Sequence, residues 1–197
     1  MLDIDEAALR DGKVGSRHYG EMCVPVEGEF MQHVKQGGME SEELVLVDLA
    51  DWLAESWEEG VRYVFGPGST LHGLAQNLGL ETTLLGVDVI ESGQVIARDV
   101  TEAQLFALID GHPARLLVTA IGGQGHIIGR GNQQISPRVL RAIGLEHLRV
   151  IATKRKLGTL EGRPLRVDSG DPALDEAFPD AVRVWSGYRE ELLYPLA

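Results

Sequence analysis

The chain reads as an α/β protein: a mostly parallel sheet with helices on both faces, in a Rossmann-like three-layer arrangement, closed by an antiparallel hairpin. Two observations predict it. Strand-like apolar runs begin near residues 61, 83, 115, 148 and 181, with helix-patterned segments between most of them. Such alternation packs as a parallel sheet covered by helices. The run Leu116–Ile121 also reads as continuously apolar but for one threonine, which suits a strand buried on both faces. Residues 1–40 are expected to form an N-terminal arm, the remnant of an upstream region, and residues 41–197 one nucleotide- or phosphate-binding domain.

The elements follow in order. Asp3–Arg10 suits a short helix or an acidic arm, Glu21–Val26 an edge strand interrupted by Pro25, and Gly37-Gly38 a loop. Ser41 caps a helix carrying Leu46, Leu49, Leu53 and Trp57 at helical spacing, with Gly60 as its end. Val61–Phe65 is a short buried strand. Gly66-Pro67-Gly68-Ser69-Thr70 then turns into a helix with Leu71, Leu74, Ala75 and Leu78 on one face. The hydroxyls of Ser69 and Thr70 sit where they either cap that helix or bind a phosphate oxygen. Thr83–Ile90 reads as the next strand, with Asp88 as its only charge; a carboxylate in such a run needs a partner or a task.

Thr101–Gln104 fits a capping box before Leu105, Leu108 and Ile109. After Leu116–Ile121 comes a loop with Gly122, Gly123, Gly125, Gly129 and Gly131. It leads into a helix capped by Ser136, with Pro137 first, Val139, Leu140 and Ile143 on one side, and Gly144 as the stop. A glycine-rich turn between strand and helix can offer bare N–H groups to an anion, or merely permit tight turning. Leu148–Thr153 is a further strand, followed by Lys154, Arg155 and Lys156. Asp171 and Pro172 start a short helix, leaving Asp168 as a spare carboxylate. Val182–Ser186 and Leu192–Leu196 form the closing hairpin around Tyr188-Arg189-Glu190.

Composition narrows the function. Net charge is −12, which disfavours a nucleic-acid polymer as partner. Yet residues 130–166 hold nine basic and two acidic side chains, so that segment is +7 and the remainder −19. A basic band beside a glycine-rich loop suits a small anion, although charges near helix ends explain it as well. Cys23 is the single cysteine, which excludes an internal disulfide and fits a reducing compartment. No apolar run reaches the ~18 residues of a membrane span and no signal peptide opens the chain, so no membrane partner and a cytoplasmic location are expected. The P-loop, the G-x-G-x-x-G fingerprint before a helix and the G-x-S-x-G elbow are all missing. The six histidines show no metal-ligand spacing. His126 in the glycine loop suits a general acid or base, or equally a hydrogen-bonded loop residue.

The strings GPGST, TLLGVDVI, AIGGQGHIIGRGNQQISPRVL, VIATKRKL, LRVDSGDPALD and SGYRE resemble the C-terminal half of the ATP-NAD kinase family, which includes the acetoin catabolism protein X type. The likeness runs nearly end to end. It implies ATP-dependent phosphorylation of NAD, or a related dinucleotide, to NADP, with ATP and NAD as ligands and a divalent metal such as Mg compatible with the reaction. The resemblance departs at one point. The family's GGDGT motif, whose Asp is the expected catalytic carboxylate, has no counterpart here; Gly37-Gly38 and Gly122–Gly125 are the nearest strings. The chain alone is therefore expected to be incomplete as a kinase, with a homo-oligomer or a separately encoded N-terminal kinase domain as partner.

On that reading Gly66, Gly68, Ser69 and Thr70 hold one phosphate, and Gly122, Gly123, Gln124 and Gly125 contact a second. Arg130, Asn132, Gln133 and Lys154 fix the nucleotide, and Asp88, Asp168 or His126 carries the acid–base task; no metal ligand set is assigned. A second likeness, to the ribose phosphate isomerase and glucosamine-6-phosphate deaminase folds, implies a sugar-phosphate isomerase with Asp88 as base and His126 as proton carrier. A non-catalytic nucleotide-binding domain is the third reading.

Overall fold

The computed structural model describes residues 2–4, 16–18 and 41–197. The chain divides into two compact units, Met1–Met39 and Glu40–Ala197. In the first, β1 (Leu2–Ile4) pairs antiparallel with β2 (Ser16–His18), Leu2 opposite His18. Asp3 and Ile4 are thus strand; the rest of Asp3–Arg10, the edge strand at Glu21–Val26 and the Gly37-Gly38 loop lie outside the described residues.

The second unit is built on a seven-stranded mixed sheet ordered β5-β4-β3-β6-β7-β8-β9. Its four central strands are parallel: β3 (Arg62–Phe65), β6 (Ala114–Val118), β7 (Leu148–Ile151) and β8 (Ala181–Gly187). Antiparallel strands flank them: β4 (Asp88–Glu91) and β5 (Gln94–Ala97) on one side, β9 (Glu190–Pro195) on the other. The closing hairpin lies where expected. The strand expected from Thr83 instead starts at Asp88 and runs antiparallel to β3. Asp88 itself forces that start: its carboxylate accepts from the Thr83 N–H (2.7 Å), the Thr83 hydroxyl (3.0 Å) and the Asp99 N–H (2.9 Å). Residues 83–87 are folded back to reach it. β4 then turns into β5 through Ser92-Gly93, both at positive φ (50° and 72°), as a tight two-residue hairpin requires.

Six α-helices complete the unit: α1 (Glu42–Glu55), α2 (Ser69–Asn77), α3 (Glu102–Ile109), α4 (Pro137–Ile143), α5 (Lys154–Gly158) and α6 (Pro172–Asp175). Alternate strand residues point to opposite faces, and the core divides accordingly. Tyr63, Phe65, Ile90, Leu117 and Ile151 pack with Leu49 and Leu53 of α1 and Leu71 and Leu74 of α2. Val64, Val89, Leu116, Val118 and Val150 pack with Leu105 and Ile109 of α3 and Val139, Leu140 and Ile143 of α4. No helix among the described residues is long and apolar enough to cross a membrane.

The glycine loop is not an open cradle along its whole length. Ile127 and Ile128 are fully buried between its glycines. A short parallel ladder holds them: Arg166 N donates to Gly125 O, Ile127 N to Arg166 O, and Asp168 N to Ile128 O. Residues 165–167 are in turn bonded to Pro195–Ala197 through Leu165 N to Pro195 O, Ala197 N to Leu165 O and Val167 N to Ala197 O. Asn132 is buried and closes the loop on itself, accepting from Gly129 N and donating to Ile127 O, both at 2.9 Å.

Gly129 (φ +91°) lies so close to the next segment that a Cβ would fall 1.7 Å from Asp168 O. Gly129→Ala is therefore expected to destabilise by about 3 kcal/mol or more. Gly162→Ala, where φ is +80° but the space is open, should cost about 1 kcal/mol. Denaturant unfolding of both variants checks the contrast; equal losses would refute the packing account.

Glu102 ties α3 to α4. It accepts from Arg138 Nε (2.6 Å) and Nη2 (2.5 Å) and from the Ser136 hydroxyl (2.6 Å). The Arg138 guanidinium first, then the Ser136 hydroxyl, hold its carboxyl down at about 2. A depressed folded value stabilises above the unfolded value of about 4.3 and loses that effect as pH falls through the folded one. Glu102→Gln should thus lower the melting temperature at neutral pH. The gap should close as pH falls from about 4.3 to about 2, read by thermal scans across that range.

Candidate functional site

The carboxyl ends of β3, β6, β7 and β8 share one edge of the sheet. Chain order reverses between β3 and β6: from β3 the chain proceeds outward to β4 and β5, and from β6 in the other direction to β7, β8 and β9. The helix following β3 packs in one core and the helix following β6 in the other. Strand ends where segments part in this way are where open α/β sheets bind ligands.

Glycines let the two corners touch there. A Cβ on Gly66 would be 3.2 Å from Leu117 O and 3.7 Å from Ile135 Cδ1; one on Gly68 (φ +128°) would be 2.9 Å from Thr119 Cγ2. Thr119 follows β6 directly and is 1% exposed. Lys156 reaches the same point from beyond β7. Its ammonium donates to Thr70 Oγ1 and Thr119 Oγ1, each at 2.9 Å.

That ammonium carries three N–H donors, so one remains after the two threonines. The hydroxyl protons of Thr70 and Thr119 have no acceptor among the described residues. Helix α2 adds backbone donors. Its N-cap is Gly68, and no side chain caps it, whereas Ser41, Thr101, Ser136, Thr153 and Asp171 cap the other five α-helices. Neither Ser69 nor Thr70 serves as a cap; both lie within the helix. The corner is thus rich in donors and poor in acceptors, the chemistry of an anion site.

Three consecutive cations hold α5 in place. Lys154 pairs with Glu190 (2.6 Å), Arg155 with Glu42 (3.6 Å), and Lys156 turns inward. Thr153 caps the helix by accepting from Lys156 N (3.1 Å), which folds the third cation back over the strand end. Lys154, the cation singled out from sequence, is therefore the exposed hairpin tie, and Lys156 is the cation of the corner. T-x-x-K after a buried strand was the readable signal. Thr119 was hidden because it sits inside an otherwise apolar run.

The other sequence candidates fall into two groups. Gly66, Gly68, Ser69 and Thr70 gather at the corner with Thr119 and Lys156. Gly122, Gly123 and Gln124 form one 3-10 turn. Gly125 packs against Pro164 and Leu160. No hydrogen bond joins that turn to Ser69 or Thr70 among the described residues. Arg130 and Gln133 are exposed, and the Arg130 guanidinium donates to Gln124 Oε1. Asn132 is the buried loop staple. Asp168 is exposed where its backbone meets Gly129. His126 bridges Ile121 and Arg166 through its backbone, and its Nδ1 is shielded with no partner among the described residues. Asp88 faces Phe65 at the same sheet edge, but all its acceptor capacity is directed at Thr83 and Asp99. No cluster of three or more His, Cys, Asp or Glu among the described residues could hold a metal ion, and the corner's donors suit a phosphate rather than a cation. A cavity of about 410 Å³ opens at the opposite end, near Leu148, Phe178 and Val182, where Arg183 and Glu191 already pair with each other.

The fold and this corner define an α/β domain with a donor-rich corner at its switch point. Residues 58–196 match the family model of the ATP-NAD kinase C-terminal domain, and the chain belongs to that family. No curated protein and no solved structure matches the chain significantly.

Burial lowers the Lys156 pKa from its ordinary value, opposed by the negative charge of Glu42. A lysine with a depressed folded value carries an unfavourable charge below that value, relieved as pH rises through it towards about 10.4. Lys156→Met should therefore melt no lower than the parent at neutral pH, and its relative advantage should shrink as pH approaches about 10. Added inorganic phosphate should raise the melting temperature of the parent and leave the variant unmoved. A variant that melts lower at neutral pH would show the lysine to be a structural tie.

Proposed function

We propose that this chain is the nucleotide-holding C-terminal domain of an ATP-dependent NAD kinase-like phosphotransferase, of the acetoin catabolism protein X type, built on a Rossmann-like three-layer frame. One observation carries the reading. The third N–H of Lys156, the hydroxyls of Thr70 and Thr119 and the uncapped amides of α2 gather at one corner without an acceptor among the described residues. Phosphate oxygens supply the acceptors that the protein lacks, and the Lys156 cation offsets their charge in a partly desolvated place.

In the reaction the terminal phosphoryl group of ATP passes to a hydroxyl of NAD, yielding NADP and ADP. The hydroxyl oxygen forms the new P–O bond, the bond to the ADP oxygen breaks, and a carboxylate takes the hydroxyl proton. Positioning and charge stabilisation do most of the work in such transfers. In this chain Asp168, exposed beside Gly129, is the better-placed carboxylate. Asp88 is committed to Thr83 and Asp99, which argues against the isomerase reading that needs it as base. Gly122, Gly123, Gln124, Gly125 and Arg130, with Gln133 nearby, offer a second phosphate contact, and His126 a proton carrier. A GGDGT-bearing partner domain in the cytoplasm completes the enzyme, and a homo-oligomer is the simplest assembly otherwise.

The test is calorimetric binding of tripolyphosphate, ATP and NAD to the parent, Lys156→Met and Thr119→Val, joined to an assay of NADP formation with and without a GGDGT-bearing domain. Lys156→Met should weaken tripolyphosphate binding by about tenfold or more, about 1.4 kcal/mol. NADP should form only with the partner domain present. Equal binding by parent and Lys156→Met would overturn the phosphate corner. Binding without turnover in any combination would favour a non-catalytic nucleotide-binding domain.

A further inference from the structure

A loop carrying two exposed leucines is hydrogen-bonded to the donor-rich corner through Gly68. Leu84 and Leu85 are 47% and 79% exposed, side by side on the stretch 82–87 between α2 and β4. That stretch is held at several points. Gly68 N donates to Leu84 O at 2.9 Å. Thr82 Oγ1 meets His72 Nδ1 at 3.2 Å, and Thr83 is bound to Asp88 through both its N–H and its hydroxyl. Gly86 sits so near Asp99 that a Cβ would fall 2.4 Å from Oδ1. Two adjacent leucines are therefore kept in water on a braced loop, where a mobile loop could have turned one of them inward.

We infer that this loop is the platform for the ring of the bound nucleoside. The inference rests on the phosphate reading given above. Gly68 immediately precedes the first amides of α2, so Leu84 lies one hydrogen bond from the residue that opens the anion corner. A nucleoside joined to a phosphate held there must extend over a surface bordering the corner. Thr119 and Lys156 are polar; the loop bonded to Gly68 carries the exposed Leu84 and Leu85 and is braced in advance. Planar rings bind well against apolar side chains held in place in advance.

Asp88 gains a task in this arrangement. It is a positioning residue whose carboxylate gathers Thr83 and Asp99 so that the leucines stand beside the corner. An aliphatic platform offers no hydrogen bonds to a base edge, so it separates nucleotides from bare polyphosphates and discriminates weakly between one base and another.

The test compares NAD and tripolyphosphate binding to the full chain by calorimetry, for the parent, Leu85→Ser, Leu84→Ala and Lys156→Met. Both leucines are exposed, so their variants keep the fold, and circular dichroism melting checks this. Leu85→Ser should weaken NAD about tenfold and leave tripolyphosphate within about twofold of the parent. Leu84→Ala should follow the same pattern with a smaller loss. Unchanged NAD affinity in both leucine variants would overturn the platform, and so would equal weakening of both probes, which would mean that the loop merely supports the corner. The two failures are distinguishable: Lys156→Met altering neither probe overturns the phosphate reading and the platform placed by it, whereas unchanged NAD affinity in the leucine variants alone overturns the platform and leaves the phosphate reading standing.

Discussion

The half-buried ammonium of Lys156, lying between the hydroxyls of Thr70 and Thr119, is the constraint around which the corner is arranged. Three chain segments converge on it: the turn after β3, the residue after β6 and the short helix after β7. Burying a cation beside two neutral hydroxyls is unfavourable by itself, because neither hydroxyl returns the charge that water stabilised. The anion proposed above would offset that cost. The protein holds the cation there by distributing its neighbours: Lys154 goes to Glu190 and Arg155 to Glu42. One turn of helix is thus anchored in two directions while its third cation faces inward.

Helix ends tell the same story. Five α-helices of the second unit stop their first-turn amides with a side chain, and α2 does not. Gly68 replaces a capping residue there because any Cβ would press on Thr119. Close approach of the two corners and the open helix end therefore have one cause. Forgoing a cap costs about 1 kcal/mol of helix stability, which an arriving phosphate would offset.

Much of this fold was legible. The caps at Ser41, Thr101, Ser136 and Asp171 are local events, decided within four residues, and each forms as read. The parallel core follows from apolar runs separated by helices. What escaped was non-local. Thr83–Val87 has strand-like residues, yet Asp88 bends them away through three bonds that no periodicity encodes. Ser92-Gly93 is a two-residue hairpin turn at positive φ, a local signal that the apolar run before it masks. Asn132 reads as a ligand-binding amide but is spent on its own loop. Lys154 and Lys156 are indistinguishable by type; only the turn of helix begun at Thr153 separates the one that faces out from the one that faces in.

The stacked backbone ladder from 125–128 through 165–168 to 195–197 couples distant parts of the chain in a fixed order. His126 and Ile127 bond locally to Ile121 and Asn132, but the ladder itself joins residues 125–128 to 166–168, and residues 165–167 to 195–197. Closing such long loops is slow compared with forming a helix turn. The ladder bonds of the glycine loop are therefore expected to close after the helix turns around it, and until they do Ile127 and Ile128 are apolar surface that a growing chain must keep from its neighbours.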